Sequence, residues 1–401
     1  MEKMRQEFPF FKNNPSVLYL DNAATTHKPQ SVIDAVVHFY STMNAPVHRG
    51  IYRLSEKLTD SFEKVRIQVA QFIQATDVSE IIFTSGATAA INMVVQGWGN
   101  NCLQEGDEVV ITELEHHSNF VPWQMICLEK KALLKIIPVT PEGILDLSQL
   151  QNIITSKTKM VAVTHSSNAL GTPIDLTPII RRAHTVGARV LVDGCQAAPY
   201  QSINVQNLDC DFYVFSGHKM GGPTGVGVLY AHKRVHDDFL PAVFGGGSVF
   251  SVTPSLTTFL KPPRCYEAGT PPVAQVMGLS AALNYLDTIG MTQIHNHVTR
   301  LTALAIDELS KLSFIKILGP VDLLREHGHM VSFTVQGMHG HDVAAYLDQY
   351  DICVRAGNHC AQPLANRLGY DASVRASFYL YTTEKEIEML VKQVANLAEK
   401  G

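Results

Sequence analysis

The chain has 401 residues, of which 46% are hydrophobic and 17% charged, and its formal net charge is −5. That composition supports a packed core in two or three domains, or one large and one small, and excludes a disordered chain. The acidic balance, with no run of Lys or Arg, excludes the electrostatic footprint of a nucleic-acid binder.

Met1 to Pro15 is polar and aromatic, with neither the apolar core of a signal peptide nor the Arg-rich texture of a transit peptide. No apolar stretch is long enough to span a bilayer, so a cytoplasmic protein without membrane contact is expected. From residue 80 onward, short apolar runs at 80–84, 108–112, 160–164, 189–192 and 212–215 predict buried strands. Helical patterns at 87–98 and 176–186 lie between them. This alternation predicts an α/β domain with a largely parallel sheet. The Gly/Pro-rich piece 245–272 predicts an irregular excursion or hairpin.

Near Gly290 the texture changes. A helix is expected over 291–312, a strand over 330–335, a helix over 341–348, a short strand over 352–355 and a last helix from Glu384. The expected organisation is a large domain over 19–289 and a smaller α+β domain made of 1–18 and 290–401. The seven cysteines are odd in number, scattered and never paired as C-x-x-C, which argues against a disulfide framework or a zinc ribbon.

The polar residues fall where ligands bind in open α/β sheets, just beyond the carboxyl ends of strands. The five runs lead into Ser85-Gly86-Ala87-Thr88, Glu115-His116-His117-Ser118-Asn119, His165-Ser166-Ser167-Asn168, Asp193-Gly194-Cys195-Gln196 and Ser216-Gly217-His218-Lys219. If the strands are parallel, all five clusters share one rim. Each also has a plain structural reading. Ser85 to Thr88 reads as a helix cap or as a phosphate cup. Asp193 reads as a cap or as the acid that keeps a buried ring nitrogen protonated. Lys219 reads as a surface lysine or as a Schiff-base lysine. His116 reads as a satisfied loop histidine or as a ring stacked on a flat cofactor. Together they match what pyridoxal phosphate asks of a protein.

The ordered series resembles the class V aminotransferase family, and most closely its Suf-type cysteine desulfurases. It comprises Tyr19-Leu20-Asp21-Asn22-Ala23-Ala24-Thr25-Thr26, His48-Arg49-Gly50, the clusters above, Phe244-Gly245-Gly246-Gly247, Glu267-Ala268-Gly269-Thr270-Pro271 and Arg355-Ala356-Gly357-Asn358-His359-Cys360-Ala361. The resemblance implies a fold-type I pyridoxal-phosphate transferase that converts L-cysteine, or L-selenocysteine, to L-alanine. By the same resemblance Lys219 carries the cofactor, Asp193 pairs with the ring nitrogen, and Gln196 and Asn168 reach the ring oxygen. His116 stacks on the ring and exchanges protons, while Thr88, Ser216 and His218 hold the phosphate. Thr270 serves the partner subunit of a homodimer. Arg375 grips the substrate carboxylate, with Arg355, Asn168, His48 and Arg49 assisting. Cys360 accepts the sulfur and passes it to an acceptor protein of SufE or SufU type, for iron–sulfur clusters or thio-cofactors.

Cys360 also reads as a buried core cysteine, the usual fate of that residue type. Arg355 and His359 nearby suggest instead a positive, exposed loop that favours the thiolate. The chain departs from many relatives at Asn358, where they have a second histidine. It departs again at Ala89, where they have Glu, a change expected to bear on the dimer interface. Few residues separate Cys353 from Cys360, so a short tether is expected. Selenocysteine lyase and cysteine sulfinate desulfinase are alternatives within the same fold. A His/Cys metal-binding or scaffold protein is the non-enzyme alternative, and no His/Cys spacing matches a metal site. The glycines of 222–227 lack the Lys-Ser/Thr of a nucleotide-binding loop.

Overall fold

The structure is a computed structural model that describes residues 2–399; Met1, Lys400 and Gly401, at the ends of the expected small domain, lie outside the described residues. At its centre is a seven-stranded sheet: β1 (Ile81–Thr84), β2 (Glu108–Thr112), β3 (Leu133–Ile137), β4 (Thr158–Thr164), β5 (Arg189–Asp193), β6 (Phe212–Ser216) and β7 (Gly227–Ala231). Their order is β1-β7-β6-β5-β4-β2-β3. Strand β7 is antiparallel to both neighbours, and the remaining pairs are parallel. Two reversals through β7 leave β1 running the same way as β6. The carboxyl ends of all five sequence-predicted strands therefore meet on one edge.

Side chains alternate along a strand, so a sheet covered on both faces needs apolar residues at every position. Strand β5 does this: Val190 and Val192 pack into one core layer and Leu191 into the other. Strand β6 repeats it with Tyr213 and Phe215 against Phe212 and Val214. One layer is closed by α1 (Arg53–Phe72), through Leu58, Phe62, Val65 and Val69. The other is closed by α2 (Ala87–Val94) and α3 (His117–Lys130), through Ile91, Val94 and Trp123. Each fully buried aliphatic or aromatic side chain contributes roughly 1.5–3 kcal/mol.

A second, four-stranded antiparallel sheet contains β8 (Ile315–Leu318), β9 (Met330–Val335), β10 (Arg355–Gly357) and β11 (Ser373–Ser377), in the order β8-β9-β11-β10. The expected strand over 352–355 is in fact two. Ile352–Cys353 pairs in parallel with Leu18–Tyr19, and the chain then switches sheets to form β10. The 245–272 excursion contains the hairpin Val249–Val252 with Thr257–Phe259. Helix 87–98 is α-helical to Val94 and then widens into a π-helical turn, Val95–Gly99. Among the described residues no helix is long and apolar enough to cross a membrane.

Arg66 of α1 is buried and cross-braces the molecule. It donates to Glu267 at 2.7 and 2.9 Å, to Glu63 at 2.9 Å and to the Ile81 carbonyl at 2.8 Å. Glu267 in turn accepts from the Phe83 N–H. Removing one member of such a pair strands the other charge in a low-dielectric interior. Glu267→Ala is expected to cost about 3–5 kcal/mol, read as a lower urea midpoint at unchanged slope. A loss below about 1 kcal/mol, the range of a surface pair, would show that Glu63 alone satisfies Arg66.

Candidate functional site

A cavity of about 240 Å³ opens at the shared strand edge, and the five clusters converge on it. Lys219, in the 3-10 turn Gly217–Lys219 after β6, lines it together with Ser216 and His218. Asp193 is the last residue of β5; its carboxylate is buried and accepts from the Cys195 N–H at 3.0 Å. Thr88 stands in the first turn of α2, where N–H groups are unpaired and an anion is favoured. The Ala87 N–H already donates to Ser216 Oγ, which ties this turn to β6. The turn sits directly on β7. A Cβ on Gly227 would lie 2.5 Å from the Gly86 Cα, so only glycine permits this approach.

His116 caps α3, its Nδ1 accepting from the Ser118 N–H at 3.0 Å. Burial and the nearby Lys219 push its pKa down to about 4. The ring is therefore neutral near pH 7, and with Nδ1 spent as acceptor its proton sits on Nε2. Beneath it lies Glu115, fully buried. Its carboxyl accepts from Thr112 Oγ1 at 2.7 Å, the Thr164 N–H at 2.9 Å and Asn119 Nδ2 at 2.6 Å. Desolvation outweighs these donors and raises its pKa to about 8.

On the far side, Arg355, His359, Cys360 and Arg375 complete the lining. Arg355 and Arg375 are direct cross-strand partners on β10 and β11. Arg375 is buried and donates to the Asn168 carbonyl at 2.6 Å and to Asp21 Oδ1 at 3.0 Å. Cys360 is the one exposed cysteine among the described residues. Its loop is pinned on several sides. The His117 N–H donates to the Cys360 carbonyl at 2.8 Å, Asn168 Nδ2 to the His359 carbonyl at 2.6 Å, and the Cys360 N–H to Asn358 Oδ1 at 3.3 Å. Asn358 thus acts as a local turn-former. His359 does not contribute the positive charge expected of it. It is turned inward onto Ser373 Oγ at 2.9 Å, and burial beside Arg375 lowers its pKa to about 3.

Three expected contributors are not in this cavity. Thr270, His48 and Arg49 line a second one of about 270 Å³, with Glu267 and Gly246, Gly247 and Gly269 of the 245–272 excursion. Conversely, Asp21, Glu115, Ser166 and Cys195 were given no role from sequence, although all lie within motifs quoted for the resemblance or the strand ends. The lining fits pyridoxal phosphate. Buried polar atoms seldom lack partners, yet Asn168 Oδ1, Gln196 Oε1, Ser166 Oγ and Arg375 Nε, all of lining residues, have none. Asn168 and Gln196 each spend one amide N–H on backbone, on the His359 and Ala23 carbonyls, which leaves each a second N–H for a ring oxygen.

Because the folded pKa of Glu115 is raised, its stabilising effect is complete below the unfolded value of 4.5 and is lost as pH rises to about 8. Glu115→Gln is expected to gain stability relative to the parent as pH goes from about 5 to about 8.5. Urea midpoints of both proteins across that window test this, and a constant difference would mean that Glu115 does not titrate there.

The aminotransferase class-V family model matches residues 18–390. A Streptomyces coelicolor protein named "Probable cysteine desulfurase" is 44% identical over 398 residues, covering 97% of this chain and 95% of its own. Among solved structures, the apo cysteine desulfurase of Thermococcus onnurineus superposes with a TM-score of 0.95 at 38% identity, covering 100% of this chain and 98% of that one. An Escherichia coli cysteine desulfurase in an S-sulfonic acid form gives 0.92 at 37% identity, covering 99% and 98%. With its strand-end clusters gathered around Lys219 and this match over nearly its whole length, the chain belongs to the class V aminotransferase family.

Proposed function

We propose that the protein is a pyridoxal-phosphate cysteine desulfurase of the Suf type, which takes sulfur from L-cysteine, releases L-alanine and holds the sulfur as a persulfide on Cys360. The observation that carries this reading is the company Cys360 keeps: an exposed thiol lines the same cavity as Lys219, Asp193 and Arg375. Relatives bearing the name cysteine desulfurase at 42–44% identity support it.

Pyridoxal phosphate supplies an aldehyde that condenses with amines and a ring that accepts electrons. Lys219 would be the amine that holds it, and its free side chain would remove the substrate Cα proton. The negative charge of Asp193 would keep the ring nitrogen protonated. Thr88, Ser216, His218 and the first turn of α2 would hold the phosphate. Asn168 and Gln196 would donate to the ring oxygen. Arg375, assisted by Arg355 and Asn168, forks onto the substrate carboxylate. The Cys360 thiolate then attacks the substrate sulfur. The S–S bond forms as the C–S bond breaks, the electron pair stays with the three-carbon fragment, and protonation yields alanine. His116, with its proton on Nε2, serves as the proton carrier of this phase.

Thr270, His48 and Arg49 stand in a cavity of their own, which supports a homodimer in which they complete the partner subunit's site. The break at Gly290 between helices Val273–Ile289 and Met291–Leu309 supports a division into 19–289 and the remaining segments. The sulfur passes on to an acceptor protein of SufE or SufU type.

Two substitutions separate the layers of the reading. Lys219→Ala is expected to lose the visible absorbance of the lysine-bound cofactor and all turnover. Cys360→Ala is expected to keep that absorbance and to release neither sulfide nor alanine from cysteine. Parent-level desulfuration by Cys360→Ala would remove the persulfide from the mechanism.

A further inference from the structure

The peptide group from which Lys219 hangs is gripped from outside the cavity. The carbonyl of His218, whose carbon is bonded to the Lys219 nitrogen, has two lone pairs, yet four donors surround its oxygen. Thr26 brings its N–H at 3.0 Å and its Oγ1 at 3.1 Å, Thr25 its Oγ1 at 3.1 Å and Lys28 its Nζ at 3.4 Å. Thr26 Oγ1 also accepts from the Gly221 N–H at 2.8 Å. The segment 25–28 therefore holds the chain on both sides of Lys219.

Lys28 is the member of this clamp that costs most to place. Burying an ammonium is unfavourable unless it is paired, and Lys28 is half-buried. Among the described residues its Nζ meets no carboxylate. It donates to the carbonyls of Thr26 and His218 and lies 3.4 Å from Thr25 Oγ1. Burial lowers its pKa to about 8, so at pH 7 the ammonium form still dominates. A charged donor makes a hydrogen bond about twice as strong as a neutral one. The segment is itself anchored away from the cavity. His27 stacks on Phe10 with ring centroids 3.6 Å apart, and its N–H donates to Tyr381 Oη at 2.9 Å. Pro29 then caps the helix Gln30–His38. Thr25, Thr26 and Lys28 do not line the Lys219 cavity, so the clamp reaches Lys219 through the backbone alone.

We infer that Lys28 is a positioning residue for Lys219: its charge, together with the hydroxyls of Thr25 and Thr26, clamps the His218 carbonyl and so fixes where the Lys219 amine stands in the cavity. This rests on the reading that Lys219 holds pyridoxal phosphate. A reacting group misplaced by about 1 Å loses about a hundredfold in rate. An amine on a loosened turn would condense slowly with the cofactor aldehyde while the groups that hold the phosphate and ring stay in place.

The test uses the full-length protein stripped of cofactor and two probes. Pyridoxal phosphate bonds to Lys219, and the rate at which the visible band appears reports the placing of the amine. Pyridoxamine phosphate has an amine in place of the aldehyde and makes no bond to Lys219, and its affinity by equilibrium dialysis reports the rest of the site. Lys28→Met is expected to slow the band about tenfold or more, with pyridoxamine phosphate affinity within about twofold of the parent. Lys28→Arg keeps the charge and is expected to recover most of the rate. A parent rate in Lys28→Met overturns the inference. So does an equal loss of rate and of pyridoxamine phosphate affinity, the mark of a merely structural residue, and so does an arginine variant no faster than the methionine one. Should Lys28→Met fail to fold, Thr25→Val removes a donor to the same carbonyl at nearly constant volume and decides by the same comparison. A parent protein that binds pyridoxamine phosphate but never forms the band would refute the role of Lys219 itself.

Discussion

The side-chain N–H of Asn168 donates to the His359 carbonyl at 2.6 Å, while the main-chain carbonyl of Asn168 accepts from Arg375 Nη1 at 2.6 Å. All three residues are buried, and breaking either bond would leave a polar group without water or partner. Asn168 follows β4 of the seven-stranded sheet, whereas His359 and Arg375 belong to the part of the chain that builds the four-stranded one. A single residue therefore sets where the thiol loop and the arginine pair stand relative to Lys219 and Asp193. Chemistry between groups on two sheets tolerates little more than half an ångström of error, and a slip of one sheet against the other would break both bonds together.

The charge of the cavity follows from burial. His116, His218 and His359 are pushed down to about 4, 4 and 3, in each case chiefly by desolvation. Three rings that the sequence counts as potential cations are neutral near pH 7. What remains is Lys219, Arg375 and Arg355 against Asp193 and Asp21. That surplus of one positive charge suits an amino-acid carboxylate. Of these, His116 has its tautomer fixed by the bond it accepts at the N-terminus of α3.

The buried strands of the large sheet were legible because burial on both faces demands apolar residues at nearly every position, and all five expected ones end within two residues of the sequence reading. Strands β3, β7, β8 and β11 were not. Leu133–Ile137 is an edge strand with exposed positions, Gly227–Ala231 follows a glycine-rich turn that hides its start, and Ser373–Ser377 alternates small and polar residues around Arg375. The gathering of Thr88, His116, Asn168, Asp193, Ser216 and Lys219 was legible because parallel strands must bring their carboxyl ends together. The placing of Thr270, His48 and Arg49 was not, since one chain's periodicity says nothing about which cavity a distant loop will line. Asp21 was missed for a related reason: its partner Arg375 lies 354 residues away, and no local pattern records that distance.

The Cys360 loop stores strain that its surroundings hold in place. His359 and Cys360 are consecutive non-glycine residues with φ of 54 and 57°, a left-handed conformation that disfavours a Cβ. The conformation survives because the carbonyls of both residues and the Cys360 N–H are bonded to His117, Asn168 and Asn358. The result turns His359 into the interior and Cys360 outward over the cavity. Its backbone is bonded on both sides, to His117 and to Asn358. On the proposed reading, sulfur held on Cys360 would stand at the mouth of the cavity, and its acceptor would have to come there.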